Sequence, residues 1–250
     1  EATEGVGRMN EVLCGMDLET TGVNSAKDRP VQACMVLRNA GTDRVLLNTL
    51  VNPCMLIPQG ATNVHHISDL HVKSMPDYIF VAWQMKLIAE NLGPFTLVTF
   101  NGNRFDVPMI NNCLGEPVFK AGHIDVLRFA RHHFPEVRGT RSKGGQTLGE
   151  LYEIFCGRPL EGAHDAAADV IGTLDLLDAM RKKAGMPVER LVEEQNKAKP
   201  YAVIPFGKHS GKMLTEVPKS WAQWMANKAA EEGNPLDCDL QATVDAILAA

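Results

Sequence analysis

At 250 residues, 45% hydrophobic and 22% charged, the chain is long and apolar enough to bury a sizeable core, which excludes a disordered tail. A formal charge of -5 excludes a protein that holds nucleic acid by bulk electrostatics, so a polyanionic substrate must meet local positive charge or metal ions. No apolar run approaches the roughly 18–20 residues that cross a bilayer, and the N-terminus lacks a signal-peptide pattern, so a cytoplasmic or nuclear location without membrane association is expected. With no initiator methionine, the residues before Met9 are expected to be a processed end or an appended remnant, without functional weight. The six cysteines stand singly with no C-x-x-C pair, the pattern of reduced thiols rather than of a zinc site.

In chain order, "EVLCGMDLET" (residues 11–20) reads as a first strand, followed by a turn-rich segment and by "VQACMVLRNA" (31–40) and "RVLLNTLVNP" (44–53) as two further strands of an antiparallel meander. Apolar residues at helical spacing follow in residues 61–72 and 77–92, the second run closing at Gly93-Pro94. A compact apolar strand is expected over residues 95–101. It leads into a helix over 103–115 with Asn103 as N-cap and Gly115 as terminator. Residues 123–134 read as helical, 135–146 as a basic glycine-containing loop, 147–157 as helix and 163–185 as a long helix closed by Gly185. The polar "VEEQNKAKP" (192–200) reads as a connector, "VIPFGKHSGKMLTEVP" (203–218) as a small hairpin and "SWAQWMANKAAEEG" (220–233) as a helix. Strands first, then helices alternating with a strand, predict a mixed α/β sheet with helices on its faces.

The carboxylates raise the chemical question. Side chains two apart on a strand share a face, so Asp17 and Glu19 project together, and two like charges held so close need a cation or a shared proton unless the strand has already ended and both are solvated. Asp106 lies just past a later strand, where a first-turn acid also favours a helix dipole. In "HDAAAD", His164 and Asp169 diverge if both are helical. They converge if His164 lies in the loop before the helix, with Asp165 as N-cap and Asp169 one turn inside; by itself such a His is as much at home on an open surface.

This order, D-x-E on a first strand, an Asp after a later strand and H-x-x-x-x-D at the last helix, resembles the histidine-containing branch of the DEDD superfamily of 3′-to-5′ exonucleases, over nearly all of residues 11–184. Supporting phrases are "VNP" with a later "IP", "VHHI" where relatives often carry His-Gly-Ile, and "FNGNRFD" where they often carry His-Asn-x-x-Phe-Asp; His66 and Phe100 depart from the pattern. The C-terminal "PFGKHSGKMLTEVPKSWAQWM" resembles a module behind the nuclease domain of exonuclease X-like proteins.

The resemblance implies a ribonuclease H-like mixed five-stranded sheet flanked by helices over residues 9–188, a linker over 189–200 and a small C-terminal α+β module over 201–250. It further implies a metal-dependent 3′-to-5′ exodeoxyribonuclease that releases nucleoside monophosphates. Asp17, Glu19, Asp106 and Asp169 would hold two Mg²⁺ or Mn²⁺ ions about 4 Å apart, with Asp17 bridging them and His164 taking the proton of the attacking water. Thr20, Thr21, His65, Asn101 and Phe105 would meet the terminal nucleotide, although Phe105 also suits a core position. Arg138, Arg141 and Lys143 either track the strand's phosphates or form a solvated loop. In the module, Lys208, His209 and Lys212 surround a glycine-bearing turn, and Trp221 and Trp224 lie three apart, a spacing that suits a core as well as a stacking surface for bases. Two other functions fit the same residues: a 3′-to-5′ exoribonuclease, and a non-catalytic protein that binds nucleic-acid ends.

Overall fold

The computed structural model describes residues 11–137, 146–232 and 236–250. The loop cations Arg138, Arg141 and Lys143 lie outside the described residues. Strands β1 (Val12–Thr20), β2 (Pro30–Asn39) and β3 (Thr42–Leu50) form the expected antiparallel meander, while β4 (Thr96–Thr99) and β5 (Gly122–Asp125) add in parallel on the other side of β1, giving the order β3-β2-β1-β4-β5. This is the mixed five-stranded sheet flanked by helices.

The period-2 alternation of β1 sorts the core into two layers. Cys14, Met16 and Leu18 pack with α3 (Tyr78–Asn91) and α4 (Asp106–Leu114). Leu13 packs on the other face with α5 (Val126–His133), α6 (Leu148–Cys156) and α7 (Ala166–Ala184). Gly15 lies on that second face, where an added Cβ would sit 2.6 Å from Val170 Cγ1 and 3.1 Å from Leu174. The missing side chain is what lets α7 lie close against β1, directly below Asp17 and Glu19.

Several sequence expectations are corrected. Residues 61–72 do not form one helical run; the segment breaks at His66 (φ 60°), between α1 (Gln59–His65) and α2 (Asp69–Val72). Asn103 is not the N-cap of α4, because Phe105 occupies that position and the Asn103 amide is instead drawn to Asp125 Oδ2 at 3.1 Å. Residues 123–125, read as helical, are the end of β5, and Asp125 caps α5 by accepting from the amides of Leu127 and Arg128. The segment expected as an open connector begins as a helix, α8 (Val188–Gln195), with Leu191 buried in the main core.

The C-terminal module has a core of its own, built from Ile204, Val217, Trp221, Ala222, Leu240, Val244 and Ile247. Its hairpin reduces to a bridge between Val203 and Met213 around one 3-10 turn (Gly207–His209), followed by a second such turn (Leu214–Glu216), α9 (Lys219–Glu232) and an additional helix, α10 (Cys238–Ala249). A buried ion pair ties it to the main domain: the Arg128 guanidinium of α5 grips the Asp239 carboxylate of α10 and the carbonyls of Gln195 and Lys197. His132 adds a 2.7 Å contact to the same carboxylate, and its ring stacks on Tyr201. All six cysteines are free thiols. No helix among the described residues is long and apolar enough to cross a membrane.

Candidate active site

The carboxyl ends of the parallel strands β1 and β4 point the same way, towards the amino ends of α4 and α7, and the candidate acids gather there. Asp17 and Glu19 lie on the α7-facing side of β1, while Leu18 between them is buried in the opposite layer. The register of β1 against β2 shifts between Glu19 and Thr20, where a bulge lets the strand turn away. Asp106 opens α4, and its Oδ1 accepts from the Leu18 amide at 3.2 Å, beyond the point where β4 pairs with β1. Paired β4 backbone would satisfy that donor; instead a helix-borne carboxylate takes it, beside Asp17.

His164 lies in the loop before α7 with φ 70°, and its amide donates to Asp169 Oδ2 at 3.2 Å. This turn folds the two residues back on each other, as the loop placement of His164 required. Asp165 takes the N-cap position without a side-chain capping bond. Its Oδ1 accepts instead from Gln32 Nε2 at 2.8 Å, and the same amide group donates to Asn48 Oδ1. Gln32 pairs with Glu19 across the sheet, so a β2 side chain next to the acid cluster holds the start of α7 in place. Ligand atoms of Glu19, His164 and Asp169 all lie within 4.8 Å of one another, close enough to share a metal ion.

The electrostatics carry the mark of this crowding. Burial, then the charges of Asp106, Asp169, Glu19 and Asp165, push the Asp17 carboxyl well above the ordinary carboxylate range. Glu19 is pushed up to about 8 by burial and by Asp169, Asp106 and Asp165. Asp106 rises to about 7 through burial, although amide hydrogen bonds oppose it, and Asp169 is raised chiefly by burial. Oxygen donors that repel one another in this way fit a hard divalent cation, which would relieve every one of these shifts.

A profile of the RNase_T exonuclease family matches residues 14–177, the greater part of the chain. The chain belongs to the exonuclease family. A relative, the PolC-type DNA polymerase III of Lactococcus lactis subsp. lactis (strain IL1403), is 25% identical over 125 residues, covering 49% of this exonuclease chain and 7% of the polymerase. E. coli exonuclease I in complex with a dA16 oligonucleotide aligns with a TM-score of 0.55 at 19% identity, over 74% of this chain and 42% of its own. Exonuclease X in complex with 5′-overhanging duplex DNA aligns with a TM-score of 0.55 at 20% identity, over 72% of this chain and 98% of its own. A form of the E. coli exonuclease I complex with single-stranded DNA carries a zinc ion. At these identities the structural likenesses show the fold, and the chain spans less than half of exonuclease I.

Within the exonuclease domain, the residues expected to meet the terminal nucleotide fall into different settings. Thr20 donates to the Gly22 carbonyl. Thr21 is buried, its hydroxyl bonded to Asp28 and its amide to the Arg29 carbonyl, so both groups serve the loop after β1. His65 is buried at the end of α1 with Nδ1 accepting from Ile67, while Nε2 has no hydrogen bond of good geometry. Burial lowers its pKa, against an opposing contribution from the Thr20 backbone, and nearby His66 and His164 lower it further. Asn101 has a left-handed backbone (φ 64°) and donates its amide to Asp125 Oδ1. Phe105 is half-buried with the Arg104 guanidinium 5.4 Å from its ring centre, and it belongs to none of the core clusters.

Sequence reasoning missed Asp125 and Gln32. The buried Asp125 carboxylate accepts from the amides of Asn101, Asn103, Leu127 and Arg128, so one acid fixes both the loop after β4 and the start of α5. Gln195 completes the hub by pairing with the Asp125 backbone on both sides. The only signal for Asp125 was an acid directly ahead of the apolar-periodic run that begins at Val126, a helix N-cap position. The helical pattern that runs on from it hid the strand.

Proposed function

We propose that this chain is a metal-dependent 3′-to-5′ exodeoxyribonuclease that releases nucleoside monophosphates. The observation that carries the reading is the convergence of Asp17, Glu19, Asp106, Asp169 and His164, from three separate parts of the chain, at one end of the sheet. Family membership supports hydrolysis at a nucleic-acid end, and the DNA bound in the exonuclease I and exonuclease X complexes supports a deoxyribose substrate.

Asp17, Glu19, Asp106 and Asp169 would hold two Mg²⁺ or Mn²⁺ ions, which supply charge neutralisation for the phosphodiester and a clamp on its attacking and leaving oxygens. His164, exposed and anchored by its amide to Asp169, takes the proton of the attacking water; water's oxygen bonds to phosphorus as the bond to the 3′-oxygen breaks. Asp125 keeps Asn101 at the rim, where it meets the terminal nucleotide together with His65, Phe105, Thr20 and the backbone of Thr21. Gln32 and Asp165 keep His164 from drifting.

The test is hydrolysis of 3′-labelled oligomers in Mg²⁺ or Mn²⁺. Asp17→Ala and Asp106→Ala should abolish product while circular dichroism is unchanged, and His164→Ala should lose most turnover and alter the acidic limb of the pH–rate profile. An active Asp17→Ala enzyme overturns the assignment, and faster cleavage of a matched RNA oligomer replaces exodeoxyribonuclease with exoribonuclease.

A further inference from the structure

The C-terminal module presents a groove that the main site does not use. It has a volume of about 620 Å³, with Phe206, Trp221, Trp224 and Met225 supplying ring and thioether surface and Lys208 standing at its edge. The two tryptophans, three apart on α9, have opposite fates. Trp221 is 7% exposed and belongs to the module's core, whereas Trp224 is 54% exposed. Lys228 holds its ammonium 5.2 Å from the Trp224 ring centre. Gly207 turns the chain at φ 71° with nothing within 4 Å of where a Cβ would be, so the groove is open above the turn.

Charge selects the occupant. Between the first and last groove-lining residues, Phe206 and Met225, stand three lysines (Lys208, Lys212 and Lys219) and one acid, Glu216, whose carboxylate accepts from the Met213 amide. Lys228 follows one turn on, and the module's other five acids come after it in sequence, from Glu231 onward. All four lysines are exposed. An open indole among exposed ammonium groups matches single-stranded DNA, whose bases offer π-faces and whose phosphates offer one negative charge each.

We propose that this groove is a second nucleic-acid contact, in which a base of the single-stranded substrate stacks on Trp224 while Lys208 meets a flanking phosphate. The proposal rests on the reading of the main site as a deoxyribonuclease. Because Arg128 and Asp239 pin the module to α5, the groove keeps a set position relative to the catalytic end, so its contribution requires a strand long enough to reach it.

The test is fluorescence anisotropy of a labelled 20-mer oligothymidylate with the full chain in chelator, where nothing is cut. Trp224→Ala should weaken binding about fivefold or more, the loss expected for one stacked base. Trp224→Phe should restore most of it, and Lys208→Ala should lower the slope of log affinity against log salt by about 0.7. Turnover of a p-nitrophenyl ester of thymidine 5′-phosphate, too small to span both sites, should be unchanged in every variant. Wild-type affinity in Trp224→Ala, no rescue by Phe, or an equal loss on the small ester overturns the proposal. A wild-type chain that binds the 20-mer through Trp224 yet cuts neither substrate overturns the nuclease reading instead.

Discussion

Glu19 illustrates how a single side chain couples stability to pH. Its folded pKa of about 8 lies above that of an unfolded glutamate, near 4.3, so between these values the folded state holds a proton that the unfolded state has released. Stability of the metal-free protein should therefore fall as pH rises from about 5 to 8, and Asp17 and Asp106, also raised, act in the same direction. In thermal melts with chelator, the midpoint should drop over that window. Mg²⁺ or Mn²⁺ should raise it more at pH 8 than at pH 5, and Glu19→Gln should flatten the pH dependence. His66 offers a second test at this scale. It occupies the left-handed position that closes α1, where relatives in the resemblance often carry glycine, and its side chain is exposed. Relief of that backbone cost, partly offset by the greater freedom of an unfolded glycine, should let His66→Gly gain about 0.5–1 kcal/mol in urea denaturation.

Among the elements, the contact between β1 and α7 carries the site. A methyl group at residue 15 would meet Val170 2.6 Å away, so Gly15→Ala should push α7 outward, cost about 1–3 kcal/mol, and lower turnover by more than the loss of folded protein accounts for. Stability and specific activity measured on one preparation separate the two effects. This contact also marks how far the sequence is readable. Alternating apolar residues in 11–20 and the long periodic run of 163–185 identify β1 and α7, and the spacing of the acids identifies the residues that meet between them. What was illegible depends on neighbours. The four-residue β5 is too short for its own pattern and merges with the helix that follows it. The end of α8 is polar, and its partner is the Asp125 backbone, so it reads as a connector. Gln32 looks like any polar residue on a strand until Asp165, 133 residues away, arrives beside it.

At the scale of the whole molecule, two cores are joined through one buried carboxylate. Burial alone would raise the pKa of Asp239, but hydrogen bonds from His132, Arg128 and the Lys199 amide hold it well below the ordinary carboxylate range. A depressed pKa stabilises the fold above the unfolded value, near 3.9, and that stabilisation fades as pH falls below it. Asp239→Ala leaves Arg128 buried without its carboxylate and should cost about 3–5 kcal/mol, seen in denaturant titration as loss of the main transition's stability or as early release of the module. The clustered donors of the candidate site are also far apart along the chain. Glu19 stands 145 residues ahead of His164 and 150 ahead of Asp169, so their ligand atoms come together only once α7 has docked on β1. A polypeptide truncated ahead of His164 would therefore keep Glu19 but lack both of the donors that it meets.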